Sequence, residues 1–396
     1  MNLKNGLSVY SIIVSRGVYA LNWYNIAAAF SLIAITFSLR IGILGLLPTV
    51  FLLGAGIFQV PAGIFSPKIG AKNIAMIGLL LISLFSIFSG LAINFVMLLI
   101  CRFVVGMGAA LYFAPIIPIL NTLTTSEKKG VVMGIYNGAF NFGGGFALLA
   151  WSIISYTIGW RMGLILGGII GLVTTVENII VIPKDVKNNI HQEEYSKKIK
   201  EVLTSKSIWA MAIGLSGFWG AYFTAAQFLV HYSETVRHIA PYFAGSMSSL
   251  ILLMGMFGGP IGGKLSDIIG KRKPFMYIPA VAIGLLFILI PFSNVVSLFV
   301  IVIAIGFMVV IVFTVLYTMP AEYAEIGPTY LPLAIGLMNS VQILVGSACP
   351  FLFAYIVGMS SYTVGWIFLS IFTFIFLPIL YFAKEPISHT FSKTQK

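Results

Sequence analysis

One guanidinium is embedded in apolar sequence: Arg102 lies seven residues into the run 95–118 (FVMLLICRFVVGMGAALYFAPIIP). Arginine keeps its proton, and a charge at such depth costs ~2.5–3.5 kcal/mol on insertion scales. It needs an acceptor, which is either a helix carbonyl inside a bundle or an anion drawn to a cavity. Carboxylates are scarce nearby. Of the eleven acidic residues only Glu177 falls inside an apolar run, close to its end, and Glu322 stands just past the run 296–318. A fixed positive charge without a deep carboxylate favours a small anionic ligand. Uncharged polar residues supply the remaining chemistry. Asn22 and Asn25 are three apart and Asn137 and Asn141 four apart, so each pair shares a helix face. Gln59, Gln227 and Gln342 extend the set, with the aromatics Tyr19, Trp23, Tyr24, Tyr112, Tyr136, Trp219, Tyr222 and Tyr317. No nucleophile–base pair, metal-ligand spacing or phosphate loop accompanies them, so no enzyme, metal or cofactor is implied. His231 and His238 lack metal-ligand company, and Cys101 and Cys349 sit within apolar runs with no disulfide framework.

The elements that must hold these residues are membrane helices. Apolar residues make up 59% of the 396 positions and charged residues 9%, and mean hydropathy is +1.03. A soluble domain is about a quarter charged, so a water-soluble enzyme is excluded. Twelve runs are long enough to span a bilayer: 12–36, 43–64, 74–92, 95–118, 131–153, 161–182, 208–231, 242–263, 275–293, 296–318, 332–356 and 362–382. An outer-membrane barrel would show short alternating segments instead. The net charge of +12 is distributed by face. With the N-terminus inside, Lys4, Arg16, Lys68, Lys72, Lys128, Lys129, Lys264, Lys271, Arg272, Lys273 and the lysines of 184–206 and of the tail share one side. The other side receives Arg40, Arg161 and Arg237. The positive-inside rule then puts both termini in the cytoplasm, the chain in the cytoplasmic membrane, and nucleic acid out of consideration. The first run is too long for a cleaved signal peptide. The stretch Pro183–Lys206 reads as a linker, with a surface helix over Glu193–Leu203.

The chain also repeats itself. Gly63-Ile-Phe-Ser-Pro67-Lys68-Ile-Gly70-Ala-Lys72 returns as Gly263-Lys-Leu-Ser-Asp267-Ile-Ile-Gly270-Lys271-Arg272, Gly134-Ile-Tyr-Asn137 as Gly336-Leu-Met-Asn339, and Gly159-Trp160 as Gly365-Trp366. Offsets near 200 residues predict two parallel six-span halves, 1–183 and 207–396, joined by 184–206, with a solute site at midplane between them.

Gly263-Lys-Leu-Ser-Asp267-Ile-Ile-Gly270-Lys271-Arg272-Lys273 is similar to the G-x-x-x-D-R/K-x-G-R/K-R/K loop motif of the major facilitator superfamily. Arg102-Phe-Val-Val-Gly106-Met-Gly108-Ala109 is similar to its R-x-x-x-G-x-G-A motif. The resemblance covers essentially the whole chain. It implies an all-α integral membrane fold of twelve helices in two pseudo-symmetric six-helix bundles, working by rocker-switch alternating access. It also implies that Asp267 reaches the start of the fifth span near Gly130–Val131 and locks the cytoplasmic side. Lys271 and Arg272 would hold that carboxylate and neighbouring carbonyls, with Gly263 and Gly270 part of the same gating motif; Glu322, by its position at the end of the run 296–318, is a gate or a helix-end contact. The first copy departs from the motif, with Pro67 in the aspartate's place. The drug/proton antiporter pattern G-x-x-x-G-P-x-x-G-G lacks its proline at Gly134-Ile-Tyr-Asn-Gly138-Ala139. Asn141-Phe-Gly143-Gly144-Gly145 and Gln59-Val-Pro61 resemble nitrate/nitrite porters, but Gln59 stands where their arginine belongs. The expectation is a monomeric secondary transporter of a small hydrophilic, anionic solute. Coupling to a proton or another ion is left open. Efflux of amphipathic compounds, a nitrate-type porter and a transport-dead receptor are the alternatives.

Overall fold

The computed structural model describes residues 3–125, 128–184, 200–323 and 326–386, without the side chains of residues 3, 4, 67, 68, 129, 327–330 and 332. Among these residues the chain is helical throughout. The crossings are α1 (Asn5–Thr36), α2 (Ile41–Ser66), α3 (Ala71–Gly90), α4 (Phe95–Leu123), α5 (Lys129–Ile154), α6 (Trp160–Val181), α7 (Lys206–Thr235), α8 (Pro241–Ile269), α9 (Lys273–Phe292), α10 (Val295–Glu322), α11 (Leu333–Met359) and α12 (Tyr362–Phe382). By length and hydropathy alone α5 and α6 form one stretch, Gly130–Val181. A π-turn at Ser155–Gly159 and a positive φ of 90° at Gly159 reverse the chain there. Trp151 Nε1 then donates to Gly163 O at 2.8 Å across the hairpin. Of the linker helix expected over Glu193–Leu203, residues 193–199 lie outside the described residues, and 200–204 are helical.

The two halves share one packing diagram. In the first, α4 packs on α2 and α3, α6 on α3, and α1 on α5 and α6. In the second, α10 packs on α8 and α9, α12 on α9, and α7 on α11 and α12. Apolar side chains cannot drive this association in lipid, so close backbone approach does. A Cβ on Gly54 or Gly106 would fall on the carbonyls of Phe103 and Phe51, and one on Gly258 or Gly306 on those of Phe307 and Leu250. The same glycine pair therefore clasps α2 to α4 and α8 to α10. The repeated loop motif has its own glycine requirement, since Gly70 and Gly270 adopt φ of 102° and 67°, a region that side chains with a Cβ disfavour.

Cations close the helix ends. Where the chain enters and leaves (the terminal face), Lys72 Nζ donates to Ile179 O at 2.8 Å and to Ile182 O, and Lys273 Nζ donates to Tyr381 O at 2.9 Å. On the far face, Arg161 donates to the carbonyls of Gly90 and Ala92, and Arg237 to those of Ile290 and Ser293. Two of the three exceptions to the basic-residue asymmetry thus cap the negative ends of α3 and α9.

Candidate functional site

α1 is not a single rod. Its α-helical part ends at Tyr24, and a 3-10 turn at Ala27–Ala29 interrupts it before Phe30–Thr36. Arg16, counted from sequence with the basic face, lies well inside this helix and is 7% exposed. Its guanidinium sits over four rings, Phe140 at 4.5 Å, Tyr19 at 4.7 Å, Phe113 at 4.8 Å and Tyr136 at 4.9 Å. Its Nε and Nη1 are buried with no hydrogen-bond partner. Among the described residues it makes no ion pair, and the phenols it interacts with include Tyr19 on its own helix, Tyr136 on α5 and Tyr317 on α10 of the opposite half. A buried charge is ordinarily paired. This one is stabilised by aromatic faces, an attraction of ~2 kcal/mol or more for a desolvated cation, and keeps Nε and Nη1 free.

Besides the contact of α1 with α7, the halves meet along α2–α11 and α5–α8, both zipped toward the far face and parted toward the terminal face. Along α2 and α11, Thr49 Oγ1 donates to Ser347 O at 2.9 Å, Ser340 Oγ donates to Gly56 O at 2.8 Å, and Gly45 lies against Pro350 and Phe351. Farther along α2, a Cβ added to Gly63 would meet nothing within 4 Å. α5 packs along Pro241–Leu253 and far less along Gly255–Ile269. α5 shows two separate uncovered stripes. Val131, Ile135, Phe142 and Phe146 form one, which is apolar and suits lipid. Gly130, Gly134 and Asn137, leading to Asn141, form another, about 120° away at roughly 100° per residue. Gly134 on α5 and Gly336 on α11 have nothing within 4 Å. A cleft between the bundles therefore opens on the terminal face.

An aromatic layer roofs this cleft. Trp23 meets Phe51 at 4.7 Å, Phe140 at 5.9 Å and Phe223 at 6.0 Å, Tyr24 meets Phe223 at 5.9 Å, and Trp219 stacks on Phe223 at 5.4 Å. Tyr24 and Tyr222, repeat equivalents, interact through their hydroxyls across the halves. Gln227 Nε2 donates to Trp23 O at 3.1 Å, leaving its Oε1 buried and unpartnered. Gln59, one turn below Gly56, is 3% exposed with Nε2 unpartnered. Tyr317 donates to Asn339 Oδ1 at 3.3 Å. Arg16, Gln59, Asn137, Asn141, Tyr222, Gln227 and Asn339 thus belong to the cleft or its roof.

Other expected cavity residues are turned into the bundles. Arg102 is 1% exposed, stacks on Phe51 at 4.9 Å, and its Nη1 and Nη2 each donate to Asn22 O at 3.3 Å. It caps the last turn of the first α1 segment, where the helix leaves carbonyls unpaired. Asn22 Oδ1 accepts from Ser86 Oγ at 2.8 Å and Asn25 Nδ2 at 3.3 Å, and its Nδ2 donates to Val18 O and Gly167 O. Both asparagines are thereby used in the seam of α1, α3 and α6. Tyr112 OH pairs with Ser15 Oγ at 2.6 Å behind Arg16, and Gln342 Nε2 donates to Met211 O at 3.4 Å within its own half. Sequence reasoning missed Arg16, although it falls inside the run 12–36 and three residues before Tyr19.

Among the described residues the expected terminal-face lock is apart. Asp267, with a side chain 64% exposed, pairs with Arg272 at 2.5 Å in its own loop rather than reaching the start of α5, where Gly130 has nothing within 4 Å. Arg272 also binds Glu322 Oε1 and Oε2 at 3.0 and 3.1 Å through Nε, and Ser266 Oγ. The Glu322 carboxylate, then Asp267, holds its guanidinium even more firmly protonated than usual. Lys271 is exposed, Gly263 faces Thr314, and Gly270 ends α8. The motif's side chain for Pro67 lies outside the described residues.

Comparisons with known proteins agree with this architecture. A solved bacterial homologue of the human lysosomal transporter Spinster, in an inward-facing and unoccupied conformation, superposes with a TM-score of 0.80 at 15% identity, covering 97% of each chain. The probable L-galactonate transporter of Escherichia coli strain K12 is 24% identical over 242 residues, 57% of this chain and 53% of that protein. The hexuronate transporter of Bacillus subtilis strain 168 is 32% identical over 133 residues, 34% of this chain and 32% of that protein. The chain thus spans about half or less of the length of these curated relatives. The family model described as Major Facilitator Superfamily matches residues 12–327. With two six-helix bundles packed on one diagram and that match over most of its length, the chain belongs to the Major Facilitator Superfamily.

Proposed function

We propose that the chain is a secondary transporter that carries a small organic anion by alternating access, with Arg16 as the residue that binds the cargo's carboxylate. The observation that carries this reading is the unpaired guanidinium of Arg16, caged by four rings at the junction of the two bundles with Nε and Nη1 free of partners. A carboxylate accepts charge-assisted N–H bonds from a free guanidinium donor, and the low-dielectric surroundings strengthen them. Gln59 Nε2 and the Tyr317–Asn339 pair offer hydroxyl-recognising groups from both halves. The sugar acids named for two relatives have this chemistry, a carboxylate beside several hydroxyls. Fixed positive charge in the cleft disfavours amphipathic cations, and Gln59 in place of an arginine disfavours a nitrate-type site. Residues 1–183 and 207–396 move as the two bundles, 184–206 links them in the cytoplasm, and the parted terminal face corresponds to an inward-open state.

The test is a thermal-shift screen of purified protein against galactonate, glucuronate, phosphate, neutral sugars and cationic drugs, followed by counterflow in proteoliposomes. Stabilisation and exchange by a hydroxylated carboxylate, with none by the neutral sugar of the same skeleton, is the expected result. Stabilisation by neutral sugars or cations instead would overturn the assignment.

A further inference from the structure

On the far face one carboxylate joins the two bundles. Glu234, at the end of α7, accepts on Oε2 from Ser31 Oγ of α1 at 2.5 Å and from Tyr156 OH at 3.0 Å. Tyr156 belongs to the π-turn after α5, an irregularity that recurs at functional positions. The donors are on one half and the acceptor on the other, so this contact must break whenever the far face opens. Both donors share one oxygen. The other, Oε1, is enclosed with no partner, and Glu234 makes no ion pair among the described residues.

The surrounding ionisable groups are committed elsewhere. His231 Nδ1 is taken by Tyr362 OH at 2.6 Å, and Thr235 Oγ1 lies 3.4 Å from it. Tyr232 packs on Trp366 and Tyr362 at 5.3 and 5.2 Å. Arg237 turns to the end of α9 and Arg161 to the end of α3, while Arg40 and His238 are exposed.

We propose that Glu234 binds a proton from the far-side solvent, and that this proton holds the far-side seal shut. Ionised, the carboxylate leaves negative charge on an enclosed oxygen with neither donor nor cation, whereas the neutral acid avoids most of that cost. Tyr156 is 42% exposed and marks the water-facing entry for the proton. When the halves part, Ser31 and Tyr156 withdraw, water reaches both oxygens, and the carboxyl releases its proton to the same side. Proton affinity is therefore higher in the sealed state. By linkage, acid on the far side favours the seal, and the favour is lost as pH rises through the sealed-state titration. One such proton changes the sealed-to-open ratio by up to about tenfold per pH unit.

The experiment is a spin-label distance measurement between Ile93→Cys and Val296→Cys, far-face positions 82% and 75% exposed on opposite halves, with Cys101 and Cys349 left buried. No solute is added, so the outcome is independent of anion binding at Arg16. Lowering pH from about 8 to 5 is expected to shorten the distances toward the sealed population. Glu234→Gln, a neutral mimic, is expected to stay sealed at every pH, and Ser31→Ala to move the midpoint to higher pH. Distances that ignore pH in the wild type, a full pH response in Glu234→Gln, or a Glu234→Gln that stays open would each overturn the proposal.

Discussion

Replacing Arg16 by Met separates a cargo-binding role from a packing role. The thioether chain keeps much of the contact with Tyr19, Phe113, Tyr136 and Phe140 and removes only the charge and the fork. Hydrogen bonds to a charged group contribute ~1.5–3 kcal/mol, which at ~1.4 kcal/mol per decade weakens carboxylate binding by about 10- to 150-fold. The ligand-free protein responds differently. Discharging the site recovers ~2.5–3.5 kcal/mol of insertion cost, against a lost cation–π attraction of ~2 kcal/mol or more. Its melting temperature therefore stays near the wild-type value or rises. At a ligand concentration about a hundred times the wild-type Kd, binding stabilises by ~2.7 kcal/mol, and a hundredfold weaker variant retains only ~0.4 kcal/mol. Thermal unfolding of both proteins with and without galactonate or glucuronate measures this directly. An Arg16→Met protein that keeps the full ligand-induced rise refutes the assignment, as does one that fails to fold while Arg16→Lys folds and binds normally.

Three further outcomes follow from the same geometry. Arg102→Met strands the Asn22 carbonyl in the α1–α4 seam, at a cost of ~1–3 kcal/mol, so unfolding temperature falls while anion affinity of the folded fraction changes less than about threefold. Gly245→Val drives a side chain into Ser152 and the Leu148 carbonyl across α5 and α8; this wedge opens the far seal, and thiol labelling of Asn137→Cys from the terminal face slows. Asp267→Asn is expected to leave stability unchanged, because among the described residues the exposed carboxylate meets Arg272 alone, yet to slow exchange in proteoliposomes, as the motif's resemblance implies for a closed state with that carboxylate at the start of α5.

The spans, the repeat and the glycines of the motifs were legible because hydropathy, a 200-residue offset and close backbone approach all leave marks in residue type. Side-chain direction leaves none. Arg102 donates through Nη1 and Nη2 to the Asn22 carbonyl inside one bundle, near the break in α1, which no spacing announces. Arg16 looked like a topology residue because arginines near helix ends reach outward to water. The helix in fact begins at Leu3, which places that residue more than three turns deep. Glu234 falls just past the run 208–231, and Ser31 together with the π-turn that presents Tyr156 makes it a contact between halves. Asp267 illustrates a different limit. A motif names the partners of a lock, but not the state in which the lock is engaged.

The central claim is that two bundles rock about an anion held at Arg16. Spin labels at Val131→Cys on α5 and Ile268→Cys on α8, terminal-face positions 64% and 70% exposed, report the width of the cleft. Adding a bound sugar acid should populate a shorter distance in the wild type and leave Arg16→Met unchanged. A wild-type distribution that stays the same at saturating ligand, or an equal shortening in Arg16→Met, would contradict it.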